Sequence, residues 1–190
     1  MLIVLEGPDG AGKSTIAKHL LHMLNPSILL SSGPPGQDPK SEYLGKLETA
    51  SRSMVNGVSV VIDRLHIGEL IYGPLLRGGS RLTVHEAYEI DSELWAMNAV
   101  AVHVTASTEE IHRRLIERDA GVPDARSGVR LEQSALVRLS YIHHLGRVTG
   151  GPRVVICPWI VIDTTGQDPE KIAKDIIKIG MDRRTRPGLD

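Results

Sequence analysis

Along the chain, short apolar runs alternate with longer stretches in which apolar positions recur three and four residues apart. The first pattern reads as strands and the second as amphipathic helices. Strands are expected at Leu2 to Glu6, Ser27 to Leu30, Val58 to Ile62, Ala99 to Thr105 and Val154 to Ile162. The last is open to a break at Pro158, because proline brings no N–H to a sheet ladder. Helices are expected at Lys13 to Leu24, Glu42 to Asn56, Val84 to Asn98, Thr108 to Asp119, Leu131 to Val148 and Glu170 to Ile179. In the last of these Ile172, Ala173, Ile176 and Ile177 share one face. Ser107-Thr108-Glu109-Glu110 suits a helix start, with a hydroxyl cap and acids at the positive end of the dipole. Ser31 to Lys40 and Ala120 to Gly128 read as loops, and Met181 to Asp190, with three arginines and a proline, as a frayed tail. Alternating strands and helices imply an α/β fold, an about five-stranded parallel sheet with helices on both faces.

Composition narrows the class. At 190 residues one domain is expected, covering residues 1–180, with 181–190 as its tail. An apolar fraction of 41% and a charged fraction of 24% are those of a globular domain. The net charge of -1 lacks the basic excess by which proteins track nucleic-acid phosphates. Cys157 is the single cysteine, so neither an internal disulfide nor a cysteine-based zinc site is available. The N-terminus runs straight into the short apolar run Leu2-Ile3-Val4-Leu5 before Glu6, without a basic leader, and no apolar run approaches the roughly 20 residues that span a bilayer. A cytoplasmic protein that is not membrane-embedded is expected. His103, His143 and His144 have no metal-ligand spacing and read as ordinary core or surface residues.

One segment carries most of the chemistry. Gly7-Pro8-Asp9-Gly10-Ala11-Gly12-Lys13-Ser14, followed by Thr15, matches G-x-x-x-x-G-K-[ST], the Walker A loop. Its glycines let successive N–H groups turn inward around phosphate oxygens at the start of a helix. Lys13 then reaches the β- and γ-phosphates of ATP, and the Ser14 hydroxyl ligates Mg²⁺. The strand before and the helix-period segment after it, with Ile16, Leu20 and Leu24, supply the required setting. At the end of the third expected strand stands Asp63-Arg64. An aspartate there suits the Mg²⁺ water shell, and an arginine fork suits a phosphate. The same pair also fits a solvated strand end.

Glu6 to Thr15 together with Asp63-Arg64 resembles the thymidylate kinase group of nucleoside-monophosphate kinases. The resemblance implies a P-loop NTPase fold and transfer of a phosphoryl group from ATP to a (deoxy)nucleoside monophosphate. It places Asp9 near the acceptor's sugar and Arg64 on the acceptor's phosphate. It also implies, by analogy, a homodimer. The run from His66 to Gly78 is similar to thymidylate-kinase-like proteins of phages, in which His66 and Tyr72 could stack on or flank a base and Arg77 could assist a phosphate. Where thymidylate kinases carry Arg-Glu-Pro-Gly-Gly, this chain has Ser31-Ser32-Gly33-Pro34-Pro35-Gly36, which loosens the expected acceptor specificity.

Family members with an arginine in the P-loop need fewer in the closing lid. The matching position here is Gly10, so the resemblance assigns the catalytic cation to a lid at about residues 114–130. Of Arg113, Arg114, Arg118, Arg126 and Arg130, helix spacing puts Arg114 and Arg118 on one face. Arg114, Arg118 and Arg126 are expected at the phosphates, Arg130 in reserve, and others of the five paired with Glu110 and Glu117 on a solvated face. Two alternatives stay open. One is a kinase of a nucleoside or polynucleotide 5′-hydroxyl, using Asp9, Asp63 or Glu6 as base. The other is a P-loop ATPase or nucleotide switch.

Overall fold

The computed structural model describes residues 1–33, 35–119, 131–144 and 156–185. Five parallel strands are β1 (Leu2–Glu6), β2 (Ser27–Ser31), β3 (Ser59–Asp63), β4 (Val100–Thr105) and β5 (Ile160–Asp163). Among the described residues seven helices connect or follow them: α1 (Lys13–Met23), α2 (Pro39–Val55), α3 (Ile67–Arg77), α4 (Val84–Ala96), α5 (Thr108–Asp119), α6 (Leu131–His144) and α7 (Pro169–Thr185). The sheet order is β2-β3-β1-β4-β5. β1 is therefore central, with Leu5 paired to Asp63 on one side and to Val102 on the other. The order of strands reverses beside it, and ligands of open α/β sheets bind at the carboxyl ends of strands at such a point.

The two-residue period of the strands divides the core. Leu2, Val4, Val60, Ile62 and Ala101 face α2, α3, α4 and α6, while Ile3, Leu5, Val61, Val100, Val102 and Val104 face α1 and α7. Strands apolar on both faces need this double cover. A third, small cluster of Ala106, Ile111 and Leu115 seats α5 beyond the end of β4.

Three elements differ from expectation for physical reasons. β5 begins at Ile160, not at residue 154. Instead of joining a ladder, the N–H groups of Ile156 and Cys157 donate to the buried carboxylate of Asp91, and Trp159 Nε1 donates to it at 3.1 Å. α3 was not expected at all, because Gly68, Gly73 and Pro74 interrupt the apolar positions Ile67, Leu70 and Ile71 that make its buried face. α7 runs through the expected tail as far as Thr185, with Arg183 donating to the carbonyls of Ala99 and Pro158 at 3.0 and 3.2 Å. No described helix is long and apolar enough to cross a membrane.

Candidate active site

The loop between β1 and α1 is shaped by glycines at positive φ. Gly7 has φ 147°, and a Cβ there would lie 1.9 Å from the carbonyl oxygen of Val104 on the neighbouring strand, so only glycine fits. Gly12, at φ 91°, stands at the N-cap of α1. Lys13 Nζ donates to the carbonyls of Gly7 and Pro8, each at 2.8 Å, and so lies across the loop. Burial, reinforced by the Arg64 charge, pushes its pKa down to about 8.

Opposite the loop, Ser14 Oγ donates to Asp63 Oδ2 at 3.0 Å. Asp63 Oδ1 is buried without a hydrogen-bond partner among the described residues. A hydroxyl and an under-satisfied carboxylate at the end of an anion cradle are the oxygen donors that Mg²⁺ takes while retaining waters, so these residues fit that ion.

Arg64 follows with φ 71°, a conformation sparsely used by side-chain-bearing residues. It is pinned from both sides: its N–H donates to Leu5 O at 2.9 Å, and its carbonyl accepts from Ser32 Oγ at 2.8 Å. Its guanidinium pairs with the carboxylate of Asp9. The strain is borne where it aims a cation between two cavities. Glu6, wholly buried, accepts from the N–H groups of Leu65, Ile67 and Gly68 at 2.8, 3.1 and 3.4 Å, and so fixes the start of α3 to the end of β1. Burial raises its pKa despite these bonds. Tyr141 closes the other side, donating to Glu6 Oε2 at 3.3 Å.

Three cavities lie in series. The largest, about 470 Å³, is lined by Asp9, Gly10, Gly12 to Thr15, Arg64, Arg114, Glu117 and Arg118. Arg114, Gly12 and Thr15 connect it to a second cavity of about 180 Å³ with Thr164, Gln167 and Pro169. Arg64 connects it on the other side to a third of about 100 Å³, enclosed by Ser32, Pro35, Tyr43, Tyr72, Glu69 and Arg77 among others. The middle cavity is therefore a cationic cleft around the phosphate loop. The outer two are smaller recesses that flank it.

The structure sorts the expected residues. Gly7, Asp9, Gly10, Ala11, Gly12, Lys13, Ser14 and Thr15 form one loop and first turn, and Asp63 and Arg64 face it. Arg114 and Arg118 both line the cleft, as helix spacing implied, whereas Arg113 turns outward to Glu110 and Glu117. Arg114 is held in place by several bonds. It donates to Glu110 Oε1 at 2.7 Å, Thr164 Oγ1 at 2.9 Å, and the carbonyls of Gly10 and Thr164, each at 3.2 Å. It thus ties α5 and the end of β5 to the phosphate loop. Arg126 and Arg130 lie outside the described residues. Tyr72 lines the third cavity, and its hydroxyl accepts from Asp9 N–H at 3.1 Å. Arg77 lines that cavity too, not the cationic cleft, with its guanidinium held by Glu69.

His66 is a correction. Its side chain has no exposure; it sits edge-on to Trp159 and near Asp91, and burial pushes its pKa down to about 3. It packs the core beneath α3 and cannot flank a base. Sequence reasoning missed Glu69, Tyr43 and Thr164. Glu69 had a readable signal, an acid about two helical turns before an arginine, once α3 is recognised as a helix. Thr164 had none.

A phosphate loop after a central β1 and five parallel strands in this order make a P-loop NTPase fold, with Asp63 ending β3 and Arg64 following it. No protein-family model matches the chain, and no curated protein matches it in sequence. Solved structures do match. The YorR protein of Bacillus subtilis, in complex with phosphorylated GDP, has 22% identity and a TM-score of 0.73, over 99% of this chain and 100% of that one. Deoxyadenosine kinase from M. mycoides with bound dCTP has 17% identity and a TM-score of 0.58, over 96% and 99%. Thymidylate kinase from Candida albicans has 17% identity and a TM-score of 0.53, over 96% and 92%. At these identities the likeness establishes the fold, over nearly the whole length of each chain.

Proposed function

We propose that the protein is an ATP-dependent kinase of (deoxy)nucleoside monophosphates, forming the diphosphate. The observation that carries this reading is Arg64, which alone among the described residues lines both the cleft at the phosphate loop and the aromatic pocket beyond it. A strained, doubly anchored arginine between the phosphate-loop cleft and an aromatic recess suits a phosphate on the acceptor better than a bare hydroxyl.

In this reading the donor's nucleoside occupies the recess at Thr164, Gln167 and Pro169, and its phosphates lie in the loop. Lys13 neutralises charge on the β- and γ-phosphates. Ser14 and Asp63 would hold Mg²⁺, and the ion would supply charge neutralisation at the phosphates. Arg64 turns an oxygen of the acceptor's phosphate toward the γ-phosphorus, and Asp9, beside it, faces the acceptor's sugar. The attacking oxygen is already anionic, so no base has to take a proton. The new O–P bond forms as the bond to the β-phosphate oxygen breaks, and ADP leaves. Arg118, on the cleft wall, neutralises the γ-phosphate, with Arg126 assigned to the same charge. Arg114 shapes the loop.

The reading is tested by ADP release from ATP and Mg²⁺ against a panel of nucleoside monophosphates and nucleosides. Turnover with at least one monophosphate is expected. Turnover with nucleosides alone, or acceptor-independent hydrolysis that nucleotides leave unchanged, overturns it.

A further inference from the structure

The third cavity carries a charge pair that phosphate binding does not require. Glu69 and Arg77 both lie on α3, and they differ sharply in what they present: the Glu69 side chain is 1% exposed, that of Arg77 28%. Both Glu69 oxygens accept from Arg77 Nη2, at 2.5 and 2.6 Å, and Oε1 also accepts the N–H of Arg81 at 2.8 Å. Gly73 allows this tight arrangement, since a Cβ there would lie 2.9 Å from Glu69 Oε1 and 2.8 Å from Ser80 Cα. The carboxylate is thus bonded on both oxygens and shut away from solvent behind the guanidinium. Nη1 and Nε of Arg77 have no hydrogen-bond partner among the described residues, and the cavity walls around the pair include Tyr43, Tyr72 and Leu76.

A planar head that can only donate, fixed among aromatic walls, is complementary to a flat ring whose edge carries acceptors. Guanine offers O6 and N7 at one edge, and thymine or uracil offers O4. Adenine and cytosine place an amino group there, whose hydrogens would meet the hydrogens of Arg77. The partner they would need is a carboxylate, and the carboxylate present is closed off. Resting on the monophosphate kinase reading for the identity of the acceptor, we infer that this cavity selects a keto nucleobase and that Arg77, oriented by Glu69, is the residue that selects it.

Calorimetric binding of dGMP, dTMP, dAMP and dCMP to the protein without ATP tests this directly. At least one of dGMP and dTMP should bind about tenfold or more tightly than both dAMP and dCMP, the order of discrimination a good base contact gives. The dGMP and dTMP arms separate guanine from thymine as the source of the keto edge. Arg77→Gln, whose amide both donates and accepts, should bring the preferred keto nucleotide to within about threefold of the others. Because that change leaves Glu69 buried without its counter-charge, Glu69→Gln/Arg77→Gln serves as a second variant, with the same loss of ranking expected. Binding of dAMP or dCMP as tight as the better keto nucleotide, an unchanged ranking in the variants, or no binding of any of the four overturns the inference. A ranking that appears in binding while none of the bound nucleotides is phosphorylated sinks the kinase reading and leaves base selection standing.

Discussion

The two ends of the site are built in opposite ways. The loop that faces the donor is made of backbone, from one contiguous stretch between Gly7 and Ser14, with Lys13 the main side chain. The recess beyond Arg64, proposed for the acceptor, is made of side chains from separate elements: Tyr43 on α2, Arg64 after β3, Tyr72, Glu69 and Arg77 on α3. Backbone recognition of phosphate is indifferent to what else the nucleotide carries, because every phosphate offers the same oxygens. Side-chain recognition is particular to the ligand and can be re-specified one residue at a time. The donor end should therefore fail as a whole when disturbed, and the acceptor end by degrees.

Lys13→Ala should show the largest effect, a loss of about a thousandfold or more in kcat, since it removes the cation at the migrating group. Circular dichroism should show the fold retained, and kcat within tenfold of the parent would reject Lys13 as the main donor-side charge. Arg64→Ala should come next, lowering kcat/KM for the acceptor about a hundredfold or more while the KM for ATP moves far less. Equal loss for both substrates would place Arg64 on the donor and blur the contrast between the two ends.

The pH profile sharpens the same contrast. Lys13 keeps its proton in the free protein only up to about pH 8, against an ordinary value of 10.5. Above that, kcat/KM for ATP should fall about tenfold per pH unit, whereas kcat, measured with phosphates bound, should hold to higher pH. Stability runs the other way. The unfolded chain holds more protons on this lysine between about pH 8 and 10.5, so the burial penalty is full below about 8 and is relieved as pH rises through that window. A kcat/KM profile flat to pH 10 would show that burial does not tune Lys13.

Smaller effects follow. Arg114→Ala should cost about 1–2 kcal/mol from the lost ties among α5, the loop and Thr164, which scanning calorimetry should read as a fall of about 2–8 °C in Tm. Tyr72→Phe should change the KM of the acceptor by no more than about threefold, since it removes one hydrogen bond to Asp9 N–H and keeps the aromatic wall.

This asymmetry also explains what could be read from the chain. The donor loop was legible because its chemistry lies in the spacing of consecutive residues, and the strand and helix that flank it carry clear periodicity. Arg114 and Arg118 were placed on one face by helix geometry alone. The anchoring of Arg114 to Thr164 was not legible, because it depends on where β5 ends. β5 itself was misjudged at its start because Asp91, on another element, takes the N–H groups that a strand would have used. His66 was misassigned because its fate is decided by Trp159 and Asp91, both remote in sequence. α3 was hidden by the residues that shape the acceptor pocket. Gly73 admits the return of the chain over Glu69, Pro74 sits within the helix, and Gly78 caps its end. Such local departures from regular pattern concentrate where a chain does chemistry.

Arg64, a wall common to two cavities, has a consequence for the order in which ligands arrive. Whatever the first nucleotide does to that guanidinium, by drawing it from Asp9 or by neutralising it, alters the affinity for the second. Thermodynamic reciprocity then requires that ATP change the acceptor's dissociation constant by the same factor as the acceptor changes that of ATP. In the kinase reading, that shared side chain is the physical link through which each substrate would be the other's effector.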